Sequence, residues 1–167
     1  PDFTFGFNLG FDYKGFDFST YFQGVGSRDY WGYGNVAIPS GMSALDAIFT
    51  HQTDYWTPQN TDAFYPRPTD HSWVSDGQNF KIQTRYLSDM SYLRCKNITV
   101  GYSLPKSLLQ KIDFQKLRVY FSAENMFTFD NMHLPVDPET TSWKGAWAFG
   151  RSYPYMKTIS FGVQAVF

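Results

Sequence analysis

Lys157-Thr-Ile-Ser-Phe-Gly-Val-Gln-Ala-Val-Phe167 closes the chain and decides how the rest is read. Ile159, Phe161, Val163, Ala165 and Phe167 fall on one side of an extended strand. Thr158, Ser160, Gly162 and Gln164 fall on the other, with Val166 the apolar intruder. The period is two, so this is a strand with one apolar and one polar face. A soluble domain usually frays at its end and has no reason to stop on an exposed Phe. A strand with hydrocarbon on one side and a watery lumen on the other has such a reason.

The same pattern recurs along the chain. In 3–13, Phe3, Phe5, Phe7, Leu9, Phe11 and Tyr13 alternate with Thr4, Gly6, Asn8, Gly10 and Asp12. Lys14-Gly15 makes a tight turn into a second strand over 16–26, with Phe16, Phe18 and Phe22 on one face. Asp17, Ser19, Tyr21 and Gln23 share its other face. A third strand covers 92–104, where Ile98, Val100 and Tyr102 oppose Asn97, Thr99, Gly101 and Ser103. Upstream, Arg94 and Lys96 have the parity of Ile98, which marks either a strand leaving the apolar zone or a bulge. A fourth strand over 116–129 sets Leu117, Val119, Phe121, Ala123, Phe127 and Phe129 against Arg118, Tyr120, Ser122, Glu124, Met126 and Thr128, with Asn125 breaking the apolar row. The last strand is 157–167.

Between these strands lie a short connector at 104–115, with one helical turn, and two long segments, 27–85 and 130–154. The first long segment is rich in Gly, Pro, Asp, Asn and Trp, with a short helix expected over 43–49 capped by Ser43. Such lengths exceed ordinary connections and signal functional decoration or a subdomain. Short and long connections alternate, as in outer-membrane barrels, and each strand has about ten residues, the length a tilted strand needs to cross. The long segments are therefore expected to be extracellular.

Composition is consistent with this. The chain has 167 residues, a net charge of −1 and 20% aromatics, with 17 Phe and 12 Tyr. So weak a net charge points to neither nucleic acid nor an anionic surface. Mean hydropathy is −0.38 because polar residues alternate with the rings. No run approaches the roughly 20 apolar residues of a membrane helix, which leaves a β-barrel untouched. Cys95 is the single cysteine and has no partner for an internal disulfide. No signal peptide opens the chain, which begins directly on a strand. Five strands cannot close a cylinder in lipid, because open edges would leave backbone groups unpaired in hydrocarbon. The expected fold is therefore all-β: an antiparallel transmembrane β-barrel of which these are the last five strands.

Three stretches carry a family resemblance: Trp56-Thr-Pro-Gln-Asn-Thr-Asp-Ala-Phe-Tyr-Pro-Arg67, Asp89-Met-Ser-Tyr-Leu-Arg-Cys-Lys-Asn-Ile-Thr-Val-Gly-Tyr-Ser-Leu-Pro-Lys106, and Leu117-Arg-Val-Tyr-Phe-Ser-Ala-Glu-Asn-Met-Phe-Thr-Phe129. Asp137-Pro-Glu139, Tyr153-Pro154 and Thr158–Phe167 follow the third, and Pro1-Asp-Phe-Thr-Phe-Gly-Phe7 adds a fourth. In this order they resemble the C-terminal end of SusC/RagA-type TonB-dependent outer-membrane transporters of Bacteroidota. Cys95 stands where that family usually has an aliphatic residue, and Met90 where Gly is common. The resemblance implies a plugged barrel of about 22 strands in the outer membrane. It implies energy from TonB, a SusD-like surface lipoprotein as lid, and an oligosaccharide or peptide as substrate. Plug and TonB-contact residues would lie upstream. The competing reading is a soluble β-sandwich carbohydrate-binding module, which also exposes rings and long loops.

No catalytic set, metal site or cofactor motif stands out, so no enzyme activity is expected. His51, His71 and His133 are scattered through loops without zinc-like spacing. Asp137-Pro-Glu139 reads as a turn before it reads as a pair of glycosidic carboxylates. Asn60, Asp62, Asp70 and Asp76 lack a calcium-loop spacing. Asn97-Ile-Thr99 is an accidental glycosylation triplet within a strand. Phe3, Phe5, Phe7, Phe11, Phe121 and Phe161 are assigned to lipid, with outer-membrane lipid as their partner. Tyr21 and Tyr120 point to the lumen, either stacking on sugar rings or packing against plug and wall. Arg118 and Glu124 have the same inward parity, since charges facing lipid are costly. Of the loop rings Tyr30, Trp31, Tyr55, Trp56, Trp73, Trp143 and Trp147, Trp56 is assigned to the loop's own core and Trp143 and Trp147 to substrate. Phe167 resembles a recognition tail for barrel assembly, and it is equally the last lipid-facing residue.

Phe161→Asp puts a charge toward lipid at a cost of about 2 kcal/mol. Less heat-modifiable barrel is expected in the outer membrane than for wild type. Normal assembly would reverse the assignment of faces.

Overall fold

The computed structural model describes residues 1–32, 36–39, 47–68, 81–110, 114–140 and 152–167. Its strands are β1 (Phe3–Tyr13), β2 (Phe16–Gly26), β3 (Asp29–Trp31), β4 (Leu87–Asp89), β5 (Tyr92–Ser103), β6 (Lys116–Asp130) and β7 (Thr158–Val166). One helical turn, α1 (Lys106–Leu109), precedes β6, and short 3-10 turns lie at Thr50–Gln52 and Thr84–Tyr86. The chain forms two compact units: Pro1–Ser27 with Ser91–Asp130 and Tyr155–Phe167, and Arg28–Met90 with Asn131–Pro154.

The first unit is a single antiparallel sheet in the order β1-β2-β5-β6-β7. Lys14 (φ 47°) and Gly15 (φ 89°) both take positive φ, the hairpin turn whose twist matches its strands. The register sorts side chains onto two faces. Phe7 opposes Phe22, Phe11 opposes Phe18, Phe16 opposes Tyr102, and Val100 opposes Phe121, which opposes Phe161. Ring centroids in four of these pairs lie 4.6–5.4 Å apart. Rings touch their neighbours along the face, yet its outward side stays open: Phe5 is 40% exposed, Phe11 60% and Phe161 81%. Among its described residues this unit holds a single sheet, with no second layer of its own of the kind a sandwich requires. In water each such ring forgoes about 2 kcal/mol of burial, and soluble proteins rarely show so continuous an apolar patch.

The break upstream of Asn97 is a bulge. Against β2, Tyr21 pairs with Asn97 and Phe22 with Cys95, so Lys96 is the extra residue on β5; against β6, Asn125 and Met126 together oppose it. The slip moves Arg94 to the polar face, opposite Gln23 and Thr128, and turns Leu93 and Cys95 to the apolar face. The Thr20 hydroxyl donates to the Asn97 carbonyl (2.9 Å) and lies 3.4 Å from Cys95 Sγ, satisfying backbone that the bulge disturbs. On β6 the compensating residue is Asn125, at φ 53°.

The second unit pairs β3 with β4. Its core is Ala37, Ile38 and Leu134, with Tyr30, Trp31, Val36, Tyr86, Met132 and Val136 packed around. Trp56 is not in that core and is 37% exposed. A parallel bridge between Tyr55 and Tyr65 and the Trp56 N–H to Tyr65 carbonyl bond (3.0 Å) fix this loop with Tyr65 turned inward. The helix expected over 43–49 falls largely outside the described residues, and 47–49 are not helical. Asp137-Pro-Glu139 is a turn: Asp137 Oδ1 accepts from the Glu139 N–H (2.9 Å).

Left-handed φ costs a branched or alanyl residue about 1 kcal/mol more than Asn or Gly. Asn125→Ala is expected to lower the heat-denaturation midpoint of the assembled protein more than Asn125→Gly does. Equal midpoints would show that the backbone at this bulge is not the constraint.

Candidate functional site on the polar face of the sheet

The opposite face carries the polar side chains, and one row across it is organised around glycine. Asp12, Asp17, Gly101, Tyr120 and Gly162 are consecutive ladder partners from β1 to β7. Arg118 lies one step along β6, between Ser103 and Gln164. Its guanidinium crosses Gly101 to reach Asp17: Nε donates to Asp17 Oδ2 at 2.8 Å and a terminal nitrogen donates to Oδ1. A Cβ at Gly101 would collide with both partners of this bridge. The fork holds β2 and β6 together over the strand between them, a two-point geometry that Lys cannot offer.

Tyr120 lies beside the bridge, with the Arg118 guanidinium 4.9 Å from its ring centre. The ring lies flat over Gly162, where a Cβ would meet its carbon atoms. Small residues on β5 and β7 thus let two long side chains lie along the sheet. The next row but one is Tyr21, Asn97, Glu124 and Thr158. Asn97 Nδ2 donates to Ser122 Oγ (3.4 Å), and the Thr99 hydroxyl donates to Asn97 Oδ1 (3.1 Å). Glu124 is exposed. The Tyr21 ring leans over Gly6.

The structure therefore joins Arg118 and Tyr120 in one cluster and sets Tyr21 and Glu124 in a separate row on the same face. Phe3, Phe5, Phe7, Phe121 and Phe161 lie on the apolar face, and the Phe167 ring packs on Phe114 at 4.7 Å. Trp143 and Trp147 lie outside the described residues. Sequence reasoning missed Asp17 and Gly101 as partners of Arg118, although their shared parity was visible. It also left Arg94 and Lys96 unassigned, because a bulge is not countable from one strand.

The second unit offers a smaller aromatic cluster. Phe64, Tyr65 and Tyr86 pack together with His133, whose ring centre is 5.6 Å from that of Phe64. Arg85 Nε donates to the Phe64 carbonyl at 2.9 Å. Burial pushes the Tyr65 and Tyr86 hydroxyls above the usual phenol range. The Asn60 amide and the Phe64 N–H hold the Asp54 carboxyl below its usual range. His51 Nε2 bonds the Val36 carbonyl at 2.8 Å. These contacts order the described parts of the loops.

No protein-family model matches the chain. It is 32% identical over 176 residues to the TonB-dependent receptor P3 of Formosa agariphila, covering 100% of this chain and 16% of that protein. It is 28% identical over 177 residues to the TonB-dependent receptor P26 of the same organism, covering 100% of this chain and 17% of that protein. The solved structure of the RagAB peptide importer in the closed-closed state superposes with a TM-score of 0.71 at 25% identity. That match covers 97% of this chain and 17% of the other. The chain spans less than a fifth of the length of each of these proteins.

A double-mutant cycle on Asp17→Asn and Arg118→Gln should give a coupling of about 1 kcal/mol, the scale of a partly solvated forked pair. The cycle is read from heat denaturation of the assembled protein. Strict additivity would mean that the bridge contributes nothing measurable.

Proposed function

Because this chain is a β-barrel segment of the TonB-dependent receptor type, we propose that it forms part of the wall of an outer-membrane importer. The observation that carries the reading is the asymmetry of one sheet. Its uncovered side is a continuous field of Phe, Leu, Val and Ile, matched to hydrocarbon. Its other side holds the Arg118–Asp17 bridge, Tyr120, Tyr21 and the Asn97–Ser122–Thr99 network, matched to a watery lumen. Phe3, Phe5, Phe7, Phe121 and Phe161 face lipid in this reading. Arg118 and Glu124 face the lumen, and Phe167 belongs to an assembly tail.

The cargo is an oligosaccharide or a peptide, and the likeness to a peptide importer supports the second. A SusD-like lipoprotein lids the barrel, TonB supplies the pull through a region upstream, and Trp143 and Trp147 face the substrate. Tyr21 and Tyr120 offer flat rings to substrate or plug. The sheet acts as static wall and the loops as the adaptable part, with no chemical step.

The full-length polypeptide carrying this chain should leave the outer membrane only with detergent, as a heat-modifiable species. A strain lacking it should lose TonB-dependent uptake of its oligosaccharide or peptide. A monomer folded and soluble in buffer would end this reading, as would uptake unaffected by its loss.

A further inference from the structure

The ladder between β6 and β7 stops halfway along β6. Its last pair is Glu124 with Thr158, while β6 continues to Asp130 beside β5. Residues Tyr155, Met156 and Lys157 therefore run toward β7 with no strand pairing. Side chains hold them instead. Asn125, at φ 53°, donates its amide to the Met156 carbonyl (3.2 Å), while its own Oδ1 is buried without a partner. Arg94, only 3% exposed, bonds Thr128 Oγ1 on β6 through Nε (2.9 Å) and meets the Tyr155 ring 5.4 Å from its centre. Lys96 Nζ lies 4.3 Å from the centre of the same ring. Both cations reach it because the bulge against β2 places Lys96 as an extra residue beside Arg94 and turns Arg94 to the polar face.

We propose that Tyr155–Lys157 is a releasable strap on the polar face, clamped where backbone pairing ends by Tyr155 against Arg94 and Lys96. Backbone ladders open cooperatively, whereas a segment docked through side chains, such as a ring against cations, opens locally. Release frees Tyr155–Lys157 from the polar face while the ladder from Glu124 onward stays closed. The orphaned Asn125 Oδ1 and its left-handed backbone mark the pivot, since strain of this kind gathers where a segment has two positions. The mechanics stand on the sheet alone. Its use, gating passage along this face, rests on the importer reading.

The test is limited proteolysis by a protease of broad specificity on the full-length polypeptide, extracted in detergent and checked for heat-modifiability. Tyr155→Ala should speed cleavage within 155–157 by about tenfold, and the milder Lys96→Met by a smaller factor. Tyr155→Phe, which keeps the ring face, should stay near wild type, and β7 should stay uncleaved in every variant. No change in Tyr155→Ala, or Phe behaving as Ala, would overturn the strap. A loosened strap with unaltered uptake would overturn its role as a gate. Absence of uptake in the wild type would count against the importer reading and leave the cleavage result standing.

Discussion

A strand lying in hydrocarbon finds no water, so each backbone N–H and C=O has to be met by the adjacent strand. Everything else in the first unit follows from that requirement. The ladder runs nearly the full length of β1, β2, β5 and β6, and it leaves side chains as the sole variable. Side chains then divide by solvent. One face takes Phe, Leu, Val and Ile, which associate into cross-strand pairs along the sheet without being covered from above. The other takes a forked ion pair and a hydroxyl–amide network, which demand an aqueous or protein-filled space. β1 and β7 form the two edges of the sheet.

Glycine has a consistent use here, as space. Gly101 and Gly162 leave room for Arg118 and Tyr120 to lie flat, so a charge on β6 reaches its partner two strands away. Gly24 and Gly26 do the same on the apolar face beneath the rings of Phe5 and Phe3. Cross-strand pairing of an aromatic with a glycine returns some of the packing that a bare glycine loses in a strand. The cost is intolerance: a methyl group at Gly101 or Gly162 has to displace a side chain held by its own contacts.

The bulges are the second organising device. A slip at Lys96 and another at Asn125 change which side chains reach the polar face and where the β6–β7 ladder ends. A strand of strict alternation would have put Arg94 among the apolar residues, a costly place for a charge. The bulge resolves that conflict. The same irregularity brings two cations to one tyrosine, so a departure from regular pairing creates the local chemistry.

Alternation in the sequence is enough to expect strands over 3–13, 16–26 and 157–167, each with one apolar and one polar face. A period of two reports side-chain direction and needs nothing beyond the local chain. Parity also put Arg118, Tyr120, Tyr21 and Glu124 on one face. It said nothing of which of them meet, because Arg118 and Asp17 are separated by 101 positions and joined by register. Nor did it assign the buried position in the loop unit to Tyr65 over Trp56, since irregular loops have no period to read. Pairing register, bulge position and loop packing depend on contacts between distant segments, and only the folded chain supplies those.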